Sequence, residues 1–186
     1  LLGHFVRTVQ KQKDMRPLLG STFSIEANTP YFAWRDIFHS ILDLDGHDRE
    51  SRAAHVTKLL TDRLTTAGAA ELVDLIPLLS AVVIVDFVET ETVRELTGQV
   101  RAEKLELLLV KLLETSNSPL VILDNAQWLD SASWRLVLAA ALSVKKMAFV
   151  LSGRPSDQAP LELEKLMAMD GSLKLSMQPF DKEEAL

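Results

Sequence analysis

Apolar residues recur at helical spacing from the start of the chain, where Leu1, Leu2, Phe5, Val6 and Val9 share one face and predict an opening helix. After Arg16 the apolar run changes character. Pro17 to Phe23 is short and flanked by breakers, which predicts a strand. Asn28-Thr29-Pro30 offers a capping residue and a proline for a first helical position, and Phe32, Trp34, Ile37, Phe38 and Ile41 then follow a 3.6-residue period. A helix from about Pro30 to Leu42 is expected. Polar residues around Gly46 make Leu44 to Glu50 a loop, and Val56, Leu59, Leu60 and Leu64 predict a further helix closed by Gly68. Glu71 to Val85 mixes helical and strand features, but Leu72, Leu75, Ile76 and Leu79 favour helix. Val100, Leu105, Leu108, Leu109 and Leu112 predict a long helix that ends near Ser116-Asn117-Ser118.

Beyond Ser118 the pattern alternates quickly. Strands are expected at Leu120–Leu123, Met147–Leu151 and Leu173–Ser176, with helices at Ser131–Leu142 and Leu161–Met169 between them. Strands that are apolar on both sides belong in a parallel sheet covered by helices on both faces, so the fold class is α/β. One domain fits 186 residues. Its expected parts are a helix and strand over 1–28, a mainly helical insertion over 29–118, two chemically interesting strands within 119–178, and the start of a further helix over 179–186. The uncapped helix at Leu1 and the acidic turn Asp181 to Glu184 make both ends read as interruptions.

Charge and composition then narrow the partners. Twenty Lys plus Arg against 26 Asp plus Glu leave a net charge of −6, which argues against nucleic acid as the main partner. The absence of cysteine removes disulfides, thiolate zinc sites and thiol nucleophiles. The longest apolar stretch, Leu75 to Val85, is interrupted by Pro77 and Ser80 and is too short to span a bilayer, so no membrane span is expected. No leader pattern opens the chain, and a cytoplasmic location follows as the expectation.

Two strand ends carry candidate chemistry. Pro119 to Leu123 is a buried strand ending in Asp124, followed by Asn125, Ala126 and Gln127. Phe149 to Leu151 ends in Ser152-Gly153-Arg154-Pro155. Parallel sheets bind ligands at the carboxyl ends of their strands, and adjacent strands would set Asp124 and Arg154 on the same edge. An acid after a strand also serves as a plain turn cap, and a lone Arg before a proline also serves as a solvated surface residue. Neither segment decides alone. The four histidines are scattered with no second histidine at i+3 or i+4, no serine sits in a nucleophile elbow, and Trp34, Trp128 and Trp134 read as packing residues.

The run Leu120 to Asp130 with Ser131-Ala132-Ser133-Trp134 resembles the Walker B region of signal-transducing P-loop ATPases related to AAA+ proteins, and Leu151 to Pro155 is similar to their sensor segment. Thr29-Pro30-Tyr31-Phe32-Ala33-Trp34-Arg35 and Thr97-Gly98-Gln99-Val100-Arg101-Ala102-Glu103 resemble the ATPase module that follows the twin cyclase domains of soluble adenylyl cyclases and related class III cyclases. The resemblance implies ATP and Mg²⁺ as cofactors, with Asp124 holding the metal, Arg154 meeting the γ-phosphate, and Asn125 and Gln127 positioning water. It also implies a regulatory module joined to an output such as cyclic AMP synthesis, with other domains of the same polypeptide and partner proteins as its contacts. Two departures qualify this. No GxxxxGK[ST] loop occurs in the sequence, and Leu1 to Phe5 resembles the residues just downstream of one, which implies weak or no ATP binding by this chain alone. Asn125 stands where relatives carry a second acid, and an amide takes no proton from water, so nucleotide sensing is implied more strongly than turnover. The rival reading is a nucleotide-independent scaffold for protein partners.

Overall fold

The computed structural model describes residues 2–11, 16–155 and 159–177, and the helix start expected over 179–186 lies outside them. Helix α1 (Leu2–Gln10) leads to strand β1 (Leu18–Ser21), and helices α2 (Arg35–Ile41) and α3 (Arg49–Thr66) follow. A 3₁₀ segment over Ala70–Ala81 connects to α4 (Glu91–Glu95) and α5 (Gly98–Glu114). Strand β2 (Leu120–Asp124), helix α6 (Ser131–Ser143), strand β3 (Ala148–Leu151) and helix α7 (Leu161–Met167) complete the order. The three strands form one parallel sheet in the order β1-β2-β3.

The composition of β2 explains its central place. Val121 and Leu123 enter the main core with Trp34, Phe38, Leu108 and Trp134, while Leu120 and Ile122 pack with Val9 of α1 on the opposite face. Both faces are therefore covered, as an apolar strand without alternation requires. Each such fully buried aliphatic side chain contributes about 1.5–3 kcal/mol. The main core continues through the long helices. α5 packs against α6 and the Ala70–Ala81 segment, which also packs against α3.

Gly20 is fixed by a close approach. A Cβ there would lie 2.0 Å from the Ala33 carbonyl oxygen and 2.8 Å from Leu123 Cδ2, so only glycine lets the chain around Ala33 lie on β1.

Three expectations need correction, and one helix adds to them. The helix expected from Pro30 begins later, because Tyr31 takes a left-handed conformation (φ 58°) and a 3₁₀ turn at Phe32–Trp34 precedes α2. The segment read as helix over 71–85 is 3₁₀ and ends at Ala81. Pro77 supplies no amide donor there, and Leu75 to Leu79 are buried without a break, so packing from all sides replaces an amphipathic face. Leu173–Ser176 forms no strand; residues 172–177 are exposed and without regular structure. Helix α4 was not expected. Its one buried residue, Val93, gives no period, and its start is marked only by Thr90, whose hydroxyl oxygen accepts from the Val93 amide at 3.2 Å.

Candidate nucleotide site

The carboxyl edge of the sheet is built by register. Ser21 pairs with Asp124 and Leu123 with Leu151, which brings Ser152 level with Asp124. The backbone locks that alignment: the Ser152 amide donates to the Leu123 carbonyl (3.0 Å), the Ala126 amide to the Ser152 carbonyl (2.8 Å), and the Thr22 amide to the Asp124 carbonyl (3.3 Å). The Asp124 carboxylate accepts from its neighbour's amide, Asn125 N, at 2.9 Å and from the Ser152 hydroxyl. An acid at the end of a buried strand is thus held by a hydroxyl from the next strand.

Asn125 turns the chain out of the sheet in a left-handed conformation (φ 58°, ψ 40°). Among residues with a Cβ, asparagine reaches that region most readily, so this position has a backbone reason to be Asn apart from any chemistry. The turn leads through Ala126–Trp128 to Asp130, whose carboxylate caps α6 by accepting from the Ala132 amide (2.9 Å), the Ser133 amide (3.0 Å) and the Ser133 hydroxyl (2.5 Å). It also accepts from the Tyr31 amide at 3.1 Å, tying the loop before α2 to the start of α6. Asp130 is fully engaged in structure. Burial raises the Tyr31 phenol above its ordinary pKa, partly countered by nearby Arg135.

Gln127 and Arg154 meet through the backbone. Gln127 Oε1 accepts from the Arg154 amide at 3.1 Å, and Gly153 makes room for it, since a Cβ there would sit 2.9 Å from that oxygen. Phe23, Ser24, Asn125, Gln127, Trp128 and Arg154 line a cavity of about 310 Å³ at this edge. The four residues singled out from sequence therefore fall into two adjacent arrangements. Asp124 is paired with Ser152, while Asn125, Gln127 and Arg154 face one cavity.

Ser152 was missed. The sequence signal was available, because Leu123 and Leu151 end two apolar runs and the next residue of each, Asp124 and Ser152, must then be level in a parallel pair. Trp128 also departs from expectation: Trp34 and Trp134 are buried, whereas Trp128 is 40% exposed at the cavity. No group of three or more histidines and acids suited to a metal occurs among the described residues. A lone carboxylate beside the Ser152 hydroxyl is a hard oxygen set, which fits Mg²⁺, an ion that keeps much of its water and takes one or two protein carboxylates.

No curated protein and no solved structure matches the chain. A family model described as an AAA ATPase domain matches residues 1–152, so that the match runs from the first residue through α1, all three strands and Ser152. Covering most of the 186 residues and agreeing with a parallel sheet that ends in an acid, this match shows that the chain belongs to the AAA ATPase domain family of nucleotide-binding P-loop modules.

Proposed function

We propose that the chain is an ATP-responsive regulatory module, one that registers bound nucleotide more than it turns nucleotide over, and that it serves an attached signalling output of the adenylyl cyclase kind. The observation that carries the nucleotide part is the Asp124–Ser152 pair at the carboxyl edge of the parallel sheet. The cyclase connection rests on the resemblance of Thr29 to Arg35 and of Thr97 to Glu103.

In this reading Asp124 and the Ser152 hydroxyl hold the metal and its water shell, and Mg²⁺ when bound neutralises charge on the phosphates. The Ser152 hydroxyl fixes the carboxylate's rotamer before nucleotide arrives, which lowers the ordering cost of binding. Arg154 meets the terminal phosphate, its backbone set by Gln127. Asn125 orients water through its amide without accepting a proton, so hydrolysis lacks general base assistance, typically worth 10²- to 10⁴-fold.

The test is Asn125→Glu in a polypeptide that supplies a phosphate loop to this chain. Steady-state phosphate release at saturating ATP should rise at least tenfold over a slow wild type. The gain stays below the full factor, because the carboxylate must also reach the attacking water within hydrogen-bond distance from a backbone held in the left-handed conformation of Asn125. A wild type that already turns over at ~1–100 s⁻¹ would sink the reading.

A further inference from the structure

The connection between α2 and α3 is held by histidines that the nucleotide edge does not use. His47 in this loop and His55 on α3 are both half-buried, and their rings stack with centres 3.9 Å apart and planes 24° from parallel. His55 Nε2 lies 3.1 Å from the Leu42 carbonyl oxygen at the end of α2. A carbonyl only accepts, so Nε2 carries the hydrogen and Nδ1 is the nitrogen left to take a further proton. The stack thus clamps three pieces together: the end of α2, the loop, and the second turn of α3. The backbone between Leu42 and His47 bends through two left-handed residues, Asp43 (φ 51°) and Gly46 (φ 82°), so the clamp holds a shape that an ordinary chain does not favour.

The charges around the stack are not arranged to neutralise it. On α3, Arg52 and Lys58 stand three residues to either side of His55, and Arg52 Nε donates to the His47 carbonyl at 3.1 Å. In the loop, the Asp48 carboxylate accepts from the Ser51 amide at 2.8 Å as the cap of α3, and Asp45 pairs with His39 of α2 at 3.7 Å. The Ala70–Ala81 segment packs against α3 and carries Glu71 and Asp74, but among the described residues no carboxylate forms an ion pair with either ring of the stack. One proton on the pair sets a cation over a neutral aromatic ring, which is tolerated. Two protons set like charges 3.9 Å apart with no carboxylate between them, which is repulsive. We infer that the His47–His55 stack is an acid-sensitive clamp, closed while at most one ring is charged and released when both are. Release frees the end of α2, a helix packed on β1. The inference stands apart from the nucleotide reading and uses none of its residues.

Amide hydrogen exchange of the whole chain at pH 7.5 and 5.5 reads the clamp, each rate being divided by the intrinsic rate at its pH. The two conditions bracket the ordinary imidazole value of about 6.5. The reporters are the Leu42 amide, bonded to the Phe38 carbonyl at 2.9 Å, and the Leu44 amide, bonded to the His39 carbonyl at 3.2 Å. Their protection should fall at least tenfold from pH 7.5 to 5.5 in the wild type, while Ile122 and Leu123 of β2 keep theirs. His47→Gln leaves one ring, so the same two amides should change less than about threefold between the two conditions. Asp45→Asn removes the partner of His39 and should retain the wild-type fall. Unchanged protection in the wild type would mean that no clamp opens, and an equal fall in His47→Gln would mean that the second charge is not its cause. An equal fall across β2 would mark general loosening in acid, and loss of the fall in Asp45→Asn would move the sensor to His39. Any of these overturns the inference.

Discussion

Replacing Asp130 with alanine tests whether the last residue of the Leu120–Asp130 run is structural. Its carboxylate accepts four hydrogen bonds, from the amides of Tyr31, Ala132 and Ser133 and from the Ser133 hydroxyl, at 2.5–3.1 Å. Loss of a helix cap costs about 1 kcal/mol. Ser133 is completely buried and Tyr31 nearly so, and a buried donor left without its partner costs about 1–3 kcal/mol. These bonds converge on one carboxylate, so their losses do not add in full, and Asp130→Ala should cost about 3–5 kcal/mol. Asp130→Asn keeps one acceptor oxygen and should cost less than half of that. Urea denaturation followed by circular dichroism measures both, with the slope against denaturant unchanged if the folded and unfolded states keep their extent. An Asp130→Ala loss under about 1 kcal/mol, or an Asn variant as damaged as the Ala variant, would refute the four-bond account.

Gly20→Ala should prevent native packing or lower thermal stability severely, because the new Cβ meets the Ala33 carbonyl oxygen at 2.0 Å and backbone cannot swing aside as a side chain can; a melting temperature near wild type would contradict this. Tyr31 gives a pH prediction. Its folded pKa is raised by burial, so its contribution is fully present below the unfolded phenol value of about 10 and is lost as pH climbs through the higher folded value. Stability above pH ~10 should therefore fall less steeply in Tyr31→Phe than in wild type, as measured by chemical denaturation across that range.

How much of this was legible in the sequence depends on what each segment packs against. β2 was readable because both its faces are buried and its apolar run has no alternation. The long helix α5 was readable because one face of it, from Leu105 to Leu112, meets the core. The Ala70–Ala81 segment was not, since burial on all sides erases the periodic signal and Pro77 removes a donor. Leu173–Ser176 has a strand's alternation, but pattern alone provides no neighbour to pair with, and its side chains lie exposed. At the site, Asp124, Asn125, Gln127 and Arg154 all fall at the sheet edge, as the strand ends implied. The pairing of Asp124 with Ser152 depends on register, and the cavity depends on Phe23, which a strand-end reading treats as ordinary apolar residue.

The central claim is that Asp124 and Ser152 receive metal-bound nucleotide. It is tested most directly by the amide spectrum of an isotope-labelled polypeptide that supplies a phosphate loop to this chain, as Mn²⁺, standing in for Mg²⁺, is added with ATP. The account predicts that signals of Asn125, Ser152, Gly153 and Arg154 broaden first, even if affinity is weak, and that Asp124→Asn abolishes the effect while leaving the remaining spectrum native. Signals at these positions that stay sharp, or that broaden equally in Asp124→Asn, would contradict it.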